Sequence, residues 1–214
     1  MTQPTESTRP PNIPVDHIVT SGVVRRGGLE WDVDTNVWMV GNDRTAIVLD
    51  AAHDAQAVAR ALGDRELMAI VCTHGHHGHI NAAVELAELT DSPILLHPDD
   101  DGLWHPVYPD RPPDAPLLAG ERLQAGDVEL RVLHTPGHTP GGVCLYAPDI
   151  GTVFTGDTLL WDGPGSTRAP EADPALLVRT IREQLLSLPV DTVVLPGHGS
   201  STTVGAATDV LAGR

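Results

Sequence analysis

The sequence predicts a layered α/β domain, and three observations carry that prediction. Apolar, β-branched runs crowd the N-terminal third and then alternate with helical patterns, which is the element order of a layered α/β domain. Four such runs end in loops that present His or Asp, after Cys72, Leu133, Phe154 and Leu195. Finally, 214 residues with 41% hydrophobic and 20% charged content are enough to close one sizeable core. One domain is expected over 15–214. It follows a leader, 1–14, whose Pro4, Pro10, Pro11 and Pro14 among Thr, Ser and Gln read as flexible.

Taken in order, Val15 to Val24 alternates loosely and Gly27-Gly28 suggests a turn, so an edge strand and hairpin are expected. Strands follow at 36–40 and 45–49, joined through Gly41-Asn42-Asp43, and Asp50 closes the second of them. Asp54 is placed to cap a helix running to Leu62. A strand over 68–72, a histidine-rich loop, a helix from Ile80 to Leu89 and a strand at 93–97 come next. Residues 98–116, rich in proline and aspartate, read as a long irregular loop carrying Trp104, His105 and Tyr108, and loops of this length often line a site.

The second half restarts with a half-exposed strand over 128–133, where apolar and charged residues alternate. It leads into the tightly turning His134-Thr135-Pro136-Gly137-His138. Strands at 143–146 and 152–155 follow, the latter ending in Gly156-Asp157. Asp173-Pro174 then starts a helix, with a capping carboxylate and proline at the first helical position. A buried strand over 192–195 delivers Pro196-Gly197-His198-Gly199 ahead of a terminal helix.

Charge narrows the partners. The formal net charge is -16, and all 13 basic residues are arginine with no cluster among them. Such a surface repels nucleic acid and anionic lipid. No stretch reaches membrane-spanning length, and the N-terminus lacks the basic and apolar regions of a signal peptide. A small-molecule substrate and a cytoplasmic location are therefore expected, and oligomeric state is left open. Cys72 and Cys144 lie inside apolar runs and read as buried thiols.

The chemistry concentrates in Thr73-His74-Gly75-His76-His77-Gly78-His79, which holds four imidazoles in seven positions. Neutral imidazole is the commonest metal ligand, so this loop reads as half of a zinc, iron or manganese site. Asp50 and His134, at strand ends, are candidates to orient a ligand through a hydrogen bond.

These loops resemble the metallo-β-lactamase-fold hydrolases. Thr-Pro-Gly-His at 135–138, Gly-Asp at 156–157 and Pro-Gly-His at 196–198 are most similar to the glyoxalase II-like branch. The resemblance runs from Val15 to the C-terminus and implies a four-layered αβ/βα sandwich with two mixed sheets and a dinuclear site at one edge. It assigns His74, His76 and His138 to a first metal, His79 and His198 to a second, and Asp157 to a bridging, catalytic place between them. The family pattern is H-x-H-x-D-H, and Gly78 stands where its aspartate belongs. That loses a ligand and a negative charge from the second position, which is expected to bind more weakly, and His77 is one candidate to replace it.

A metal-dependent hydrolase acting through a metal-activated water on a thioester, ester or lactone is the expected activity. One or two zinc ions are the expected cofactor, with iron or manganese as the alternative. Only sixteen residues follow His198, so the helical domain that grips glutathione in glyoxalase II is not expected. Trp161, Arg168 and Tyr108 are the candidates for substrate contact. Two other readings stay open: a mononuclear iron oxygenase resembling the persulfide dioxygenases, and a metal-binding homologue of low hydrolytic activity.

Overall fold

The computed structural model describes residues 15–26 and 29–212, so the expected leader and the Gly27-Gly28 turn lie outside the described residues. Six strands form a first sheet: β1 (Val15–Arg26), β2 (Leu29–Gly41), β3 (Thr45–Leu49), β4 (Glu66–Val71), β5 (Ile94–Leu96) and β6 (Ala115–Pro116), in that spatial order. The β1–β2 and β2–β3 pairs are antiparallel, and the remaining pairs are parallel. A second mixed sheet contains β7 (Arg122–Ala125), β8 (Val128–His134), β9 (Val143–Ala147) and β10 (Thr152–Gly156). After a small ribbon of β11 (Leu159–Leu160) and β12 (Gly163–Pro164), it is completed by β13 (Val193–Pro196) and β14 (Thr202–Thr203).

Strand alternation explains the layering. Successive residues of a strand point to opposite faces. On β2, Trp38 and Val40 enter the core between the sheets, where they share a cluster with Leu145, Phe154 and Leu195. Val37 and Met39 face the other way, into a cluster with Val58 and Leu62 of α1 (Ala55–Leu62) and Leu86. Outside the second sheet, Cys144, Val153 and Val194 pack against later helical residues, Leu177, Ile181 and Val204. Helix, sheet, sheet and helix are thus stacked in four layers, as the resemblance implies.

Local chemistry sets the boundaries. Asp54 caps α1 by accepting Ala57 N–H at 2.8 Å, and Asn42 Oδ1 accepts Thr45 N–H at 3.0 Å in the turn before β3. The helix expected from Ile80 to Leu89 is instead two pieces, α2 (His77–Ile80) and α3 (Ala83–Thr90). It breaks because Ala82 N–H leaves the helical ladder for Ala51 O (3.2 Å), while Asn81 Oδ1 takes His53 N–H (2.7 Å).

Residues 98–116 are not irregular. They form a 3₁₀ turn at Pro98–Asp100, then α4 (Asp101–Trp104), and return as β6. Trp104 is 2% exposed and its indole N–H donates to Arg111 O at 2.7 Å, which folds the segment onto the core. The hairpin is longer than the pattern predicts, because β2 already begins at Leu29. After Asp173, α5 (Pro174–Thr180) runs on as a π turn over Ile181–Leu185, and α6 (Val204–Ala212) follows β14.

Candidate metal centre

β3, β4, β8, β10 and β13 all end at the same edge of the sandwich, and the loops beyond them converge. Asp50, at the end of β3, adopts φ 58°, a left-handed conformation that aspartate tolerates better than most residues. Its carboxylate accepts Thr73 N–H at 2.7 Å and Thr73 Oγ1–H at 2.8 Å, which fixes the start of the histidine loop. The opposite loop is fastened across the sandwich: Asn36 Nδ2 donates to Pro196 O (3.0 Å) and Gly199 O (2.9 Å), and Trp38 Nε1 to Pro196 O (3.0 Å). β2 therefore holds the loop that carries His198.

Two clusters result. His74, His76 and His138 bring ring nitrogens within 4.8 Å of one another, and His79, Asp157 and His198 do the same with their ligand-capable atoms. Asp157 lies between the two. Its Oδ1 is 3.6 Å from His79 Nε2, and its Oδ2 is 3.6 Å from His138 Nε2 and 3.4 Å from His198 Nε2.

Each of the five imidazoles has one nitrogen facing the cluster and one facing an acceptor in the surrounding protein. His74 Nδ1 meets Thr73 Oγ1 (3.1 Å), and His76 Nε2 meets Glu171 Oε1 (2.7 Å). His138 Nδ1 meets Ser166 O (2.7 Å), His79 Nδ1 meets Asp50 Oδ2 (3.0 Å), and His198 Nδ1 meets Asp34 O (2.6 Å). Backbone carbonyls and carboxylates only accept, so each outer nitrogen facing one carries the ring proton. The Thr73 hydroxyl gives its own hydrogen to Asp50 and is likewise left as an acceptor.

The inner nitrogens face one another in pairs, at 3.0 Å (His76 Nδ1 and His138 Nε2) and 3.1 Å (His79 Nε2 and His198 Nε2). Among the described residues, nothing hydrogen-bonds to buried His74 Nε2 or Asp157 Oδ1. Converging, unpartnered lone pairs backed by outer acceptors are what a divalent cation requires, and these residues fit one.

Electrostatics act differently on the two clusters. Burial pushes the His74 pKa well below its usual value, and the nearby His79, His138 and His76 add to that. Burial also lowers His138. Burial would discharge His79 too, but Asp157 and Asp50 on its two sides outweigh it and raise its pKa to about 10. Burial alone would raise Asp157. The charge of His79, with His198 Nε2 3.4 Å away, overcomes this and holds it well below the ordinary carboxylate range.

The other sequence candidates separate. Asp50 sits on His79, as an orienting group would. His134 does not reach a site histidine: its Nε2 donates to Pro140 O (2.9 Å) and its ring stacks on His97 at 4.2 Å and 6°. His97, Asp99 and His134 form a further cluster, but lone pairs lying in parallel ring planes cannot meet at one ion. Trp161 is 55% exposed, with its ring against Gly199, next to His198. Arg168 is exposed, on the segment that follows β12.

Tyr108 is turned away from a pocket position. Its hydroxyl donates to Ile80 O (2.9 Å), and its ring packs on Trp104 in the helical layer. His77 is exposed at the start of α2 and joins neither cluster, so it does not replace the missing aspartate. At Gly78 itself, a Cβ would meet nothing nearer than Val24 Cγ2, at 3.6 Å.

Three participants carry no sequence signal of their own. Asp100 is fully buried and accepts Gly75 N–H, Thr139 Oγ1–H and Gly141 N–H at 2.7, 2.8 and 2.6 Å. Glu171 and Ser166 hold His76 and His138. They lie in loops whose composition does not separate them from any other acidic or polar residue.

A profile of the metallo-beta-lactamase superfamily matches residues 31–198, which span both clusters. The chain belongs to that superfamily. Among its relatives, the probable metallo-hydrolase YqgX of Bacillus subtilis is 31% identical over 186 residues, covering 80% of this chain and 88% of the relative. The hydroxyacylglutathione hydrolase GloC of Haemophilus influenzae is 30% identical over 179 residues, 77% of this chain and 84% of GloC. Of solved structures, TTHA1623, determined in a di-iron-bound form, superposes with a TM-score of 0.76 at 32% identity, covering 83% of this chain and 94% of that one. As a superfamily member, the chain has the fold and the residue clusters of a metallo-hydrolase. Among the described residues, no helix is long and apolar enough to cross a membrane.

Proposed function

We propose that this protein is a metal-dependent hydrolase that cleaves a thioester, or a related ester or lactone. The observation that carries the reading is the set of five imidazoles whose outer nitrogens are each bound to an acceptor while the inner ones converge with Asp157. A bound zinc, iron or manganese ion would supply Lewis acidity toward a carbonyl oxygen and acidify a water, to a pKa of about 7 in the case of zinc. The protein's own groups do the rest. His74, His76 and His138 hold the first position, and His79 and His198 the second. Asp157, within 3.6 Å of His79, His138 and His198, is a negative charge shared by both positions. Trp161 stands at the rim beside His198 as an apolar surface for the substrate, and Arg168 offers a cation for a substrate carboxylate.

A thioester is favoured because a relative of similar length is named a hydroxyacylglutathione hydrolase. Iron in place of zinc has its own support in the di-iron form of TTHA1623. The second position lacks the carboxylate of the family pattern and binds more weakly. A small-molecule substrate and a reducing, cytosolic setting belong with this reading, and Cys72 and Cys144 are both buried and unpaired.

The test is metal analysis of purified protein followed by assay on thioester, ester, lactone and β-lactam panels. Turnover that chelation removes and metal restores is expected, with loss of at least a hundredfold in Asp157→Asn. Metal-loaded protein inert on every panel would overturn the reading, and iron with oxygen consumption on a persulfide would replace it by an oxygenase.

A further inference from the structure

One segment, 163–173, crosses the first metal position and is anchored at both ends. Gly165 N–H donates to Thr158 O at 3.3 Å, and Asp173 N–H to Gly137 O at 2.8 Å. The anchor at Gly165 is a close one, since a Cβ there would collide with the Asp157 carbonyl. Between the anchors the segment supplies two of the three outer acceptors of the first position, Ser166 O to His138 and Glu171 Oε1 to His76.

Glu171 has a particular task, because His76 differs from its two companions. His74 and His138 present Nε2 inward, whereas His76 presents Nδ1. The side chain of His76 is 25% exposed, against 6% for His138, so packing does less to fix its ring. A half-turn of that ring about Cβ–Cγ would put Cδ2–H where Nδ1 now stands and withdraw the inward lone pair. The Glu171 carboxylate, 2.7 Å from Nε2, blocks that turn by holding the N–H outward. Among the described residues it is also the one carboxylate bonded directly to the outer nitrogen of a first-position imidazole, since His74 reaches Asp50 only through the Thr73 hydroxyl and His138 ends on a carbonyl. A carboxylate on the far nitrogen fixes the tautomer and raises the basicity of the near one.

We propose that Glu171 is a positioning residue for the first metal, which holds His76 in its Nδ1-inward orientation and strengthens it as a ligand. The proposal rests on the metal-hydrolase reading above. Its test is zinc affinity, measured by competition with a chromophoric chelator, for the parent, Glu171→Ala and Glu171→Gln, with the cobalt(II) absorption spectrum of each.

Removing such a partner weakens metal binding by roughly 10- to 100-fold, and that loss is expected for Glu171→Ala together with an altered cobalt spectrum. Glutamine can still accept the Nε2 proton, so Glu171→Gln is expected to recover part of the affinity. The urea midpoint of chelated protein should stay at the parent value in both variants, which separates this role from a general structural one. Zinc affinity of Glu171→Ala within twofold of the parent, or Glu171→Gln as weak as Glu171→Ala, would overturn the proposal. A parent that binds no zinc, iron or manganese would instead remove the reading on which it rests.

Discussion

Asp100 Oδ1 accepts the backbone N–H of Gly141 at 2.6 Å, while its other oxygen takes Gly75 N–H and Thr139 Oγ1–H. One buried carboxylate therefore ties the loop of His74 and His76 to the loop of His138, which is 62 residues further along the chain from His76. Both glycines are required by the closeness of approach: a Cβ at Gly141 would lie 2.7 Å from Asp100 N, and one at Gly75 2.8 Å from Leu103 Cβ.

In Asp100→Asn an amide NH₂ must face at least one of these donors. A buried donor left without an acceptor costs about 1–3 kcal/mol, so a loss of about 2 kcal/mol in chelated protein is expected, read from urea unfolding. Because the two loops are then free to separate, metal per chain after dialysis should fall as well. Unchanged metal content at equal loss of stability would show that Asp100 braces the fold and not the site.

Gly78 is free of steric and backbone constraint. Its φ lies outside the left-handed region, and the nearest atom to a Cβ added there would be Val24 Cγ2 at 3.6 Å. Gly78→Asp is thus expected to fold with little change in stability and to restore a carboxylate near His79 and His198. Two unit charges 4 Å apart attract by about 4 kcal/mol at an effective dielectric of 20, and a tenfold or greater rise in affinity for the second equivalent of zinc is expected. Calorimetric titration gives the answer, and an unchanged second equivalent would mean that the weakness of that position lies elsewhere.

The two halves of the site differ in how far they can be read from sequence. Strand-ending loops are legible because a β-branched run followed by Thr-His-Gly-His or Thr-Pro-Gly-His carries both the periodicity and the donors. The break at Asn81 is not, because Ala82 to Leu89 keeps a helical apolar pattern whatever Ala82 N–H binds. The place of Tyr108 is hidden for a similar reason: nothing in a proline-rich stretch reveals that Trp104 folds it onto the core. Asp100 and Glu171 act only through distant partners, so no local pattern marks them.

His53 provides a pH test at a residue that is not itself a ligand. It adopts φ 60°, its ring fills the notch left by Gly22, and it pairs with Thr35 Oγ1 (3.1 Å) and Asn81 Nδ2 (3.0 Å). Burial, then the neighbouring His79, His77 and His198, lower its pKa to about 4 from 6.5. A depressed histidine favours the neutral form in the folded state. The stability it contributes is therefore full above pH 6.5 and is lost as pH falls toward 4. Asparagine tolerates the left-handed backbone, so His53→Asn should fold. Its deficit against the parent, measured by urea midpoints on chelated protein, should be greatest above pH 7 and shrink toward pH 4. A deficit constant across that range would show that the ring does not titrate in this way.

Chelation supplies a separate check on the centre as a whole. A ligand present at a hundred times its dissociation constant stabilises the folded state by about 2.7 kcal/mol. EDTA should lower the thermal midpoint, and readded zinc or iron should restore it. Identical midpoints with and without metal would mean that the ion does not bind the folded chain.

Gly137 links the His138 loop to α5, and its substitution should damage fold and site together. Its φ of +134° is unfavourable for a side chain, and a Cβ would stand 2.4 Å from both N and Cα of Leu177, which are backbone atoms that cannot swing aside. Gly137 O also accepts Asp173 N–H, so displacing the helix carries the preceding Glu171 away from His76. Overpacking costs about 1–3 kcal/mol and a left-handed non-glycine residue about 1–2, giving an expected loss of about 2–5 kcal/mol for Gly137→Ala. Gly151→Ala is the control, because Gly151 has φ +56° but nothing within 4 Å of its Cβ position, and only the backbone part of the cost applies. Urea midpoints of the two variants should differ by the overpacking contribution, and zinc affinity should fall only in Gly137→Ala. Equal losses of stability with unchanged zinc affinity would show that the contact between Gly137 and Leu177 does not hold the centre in place.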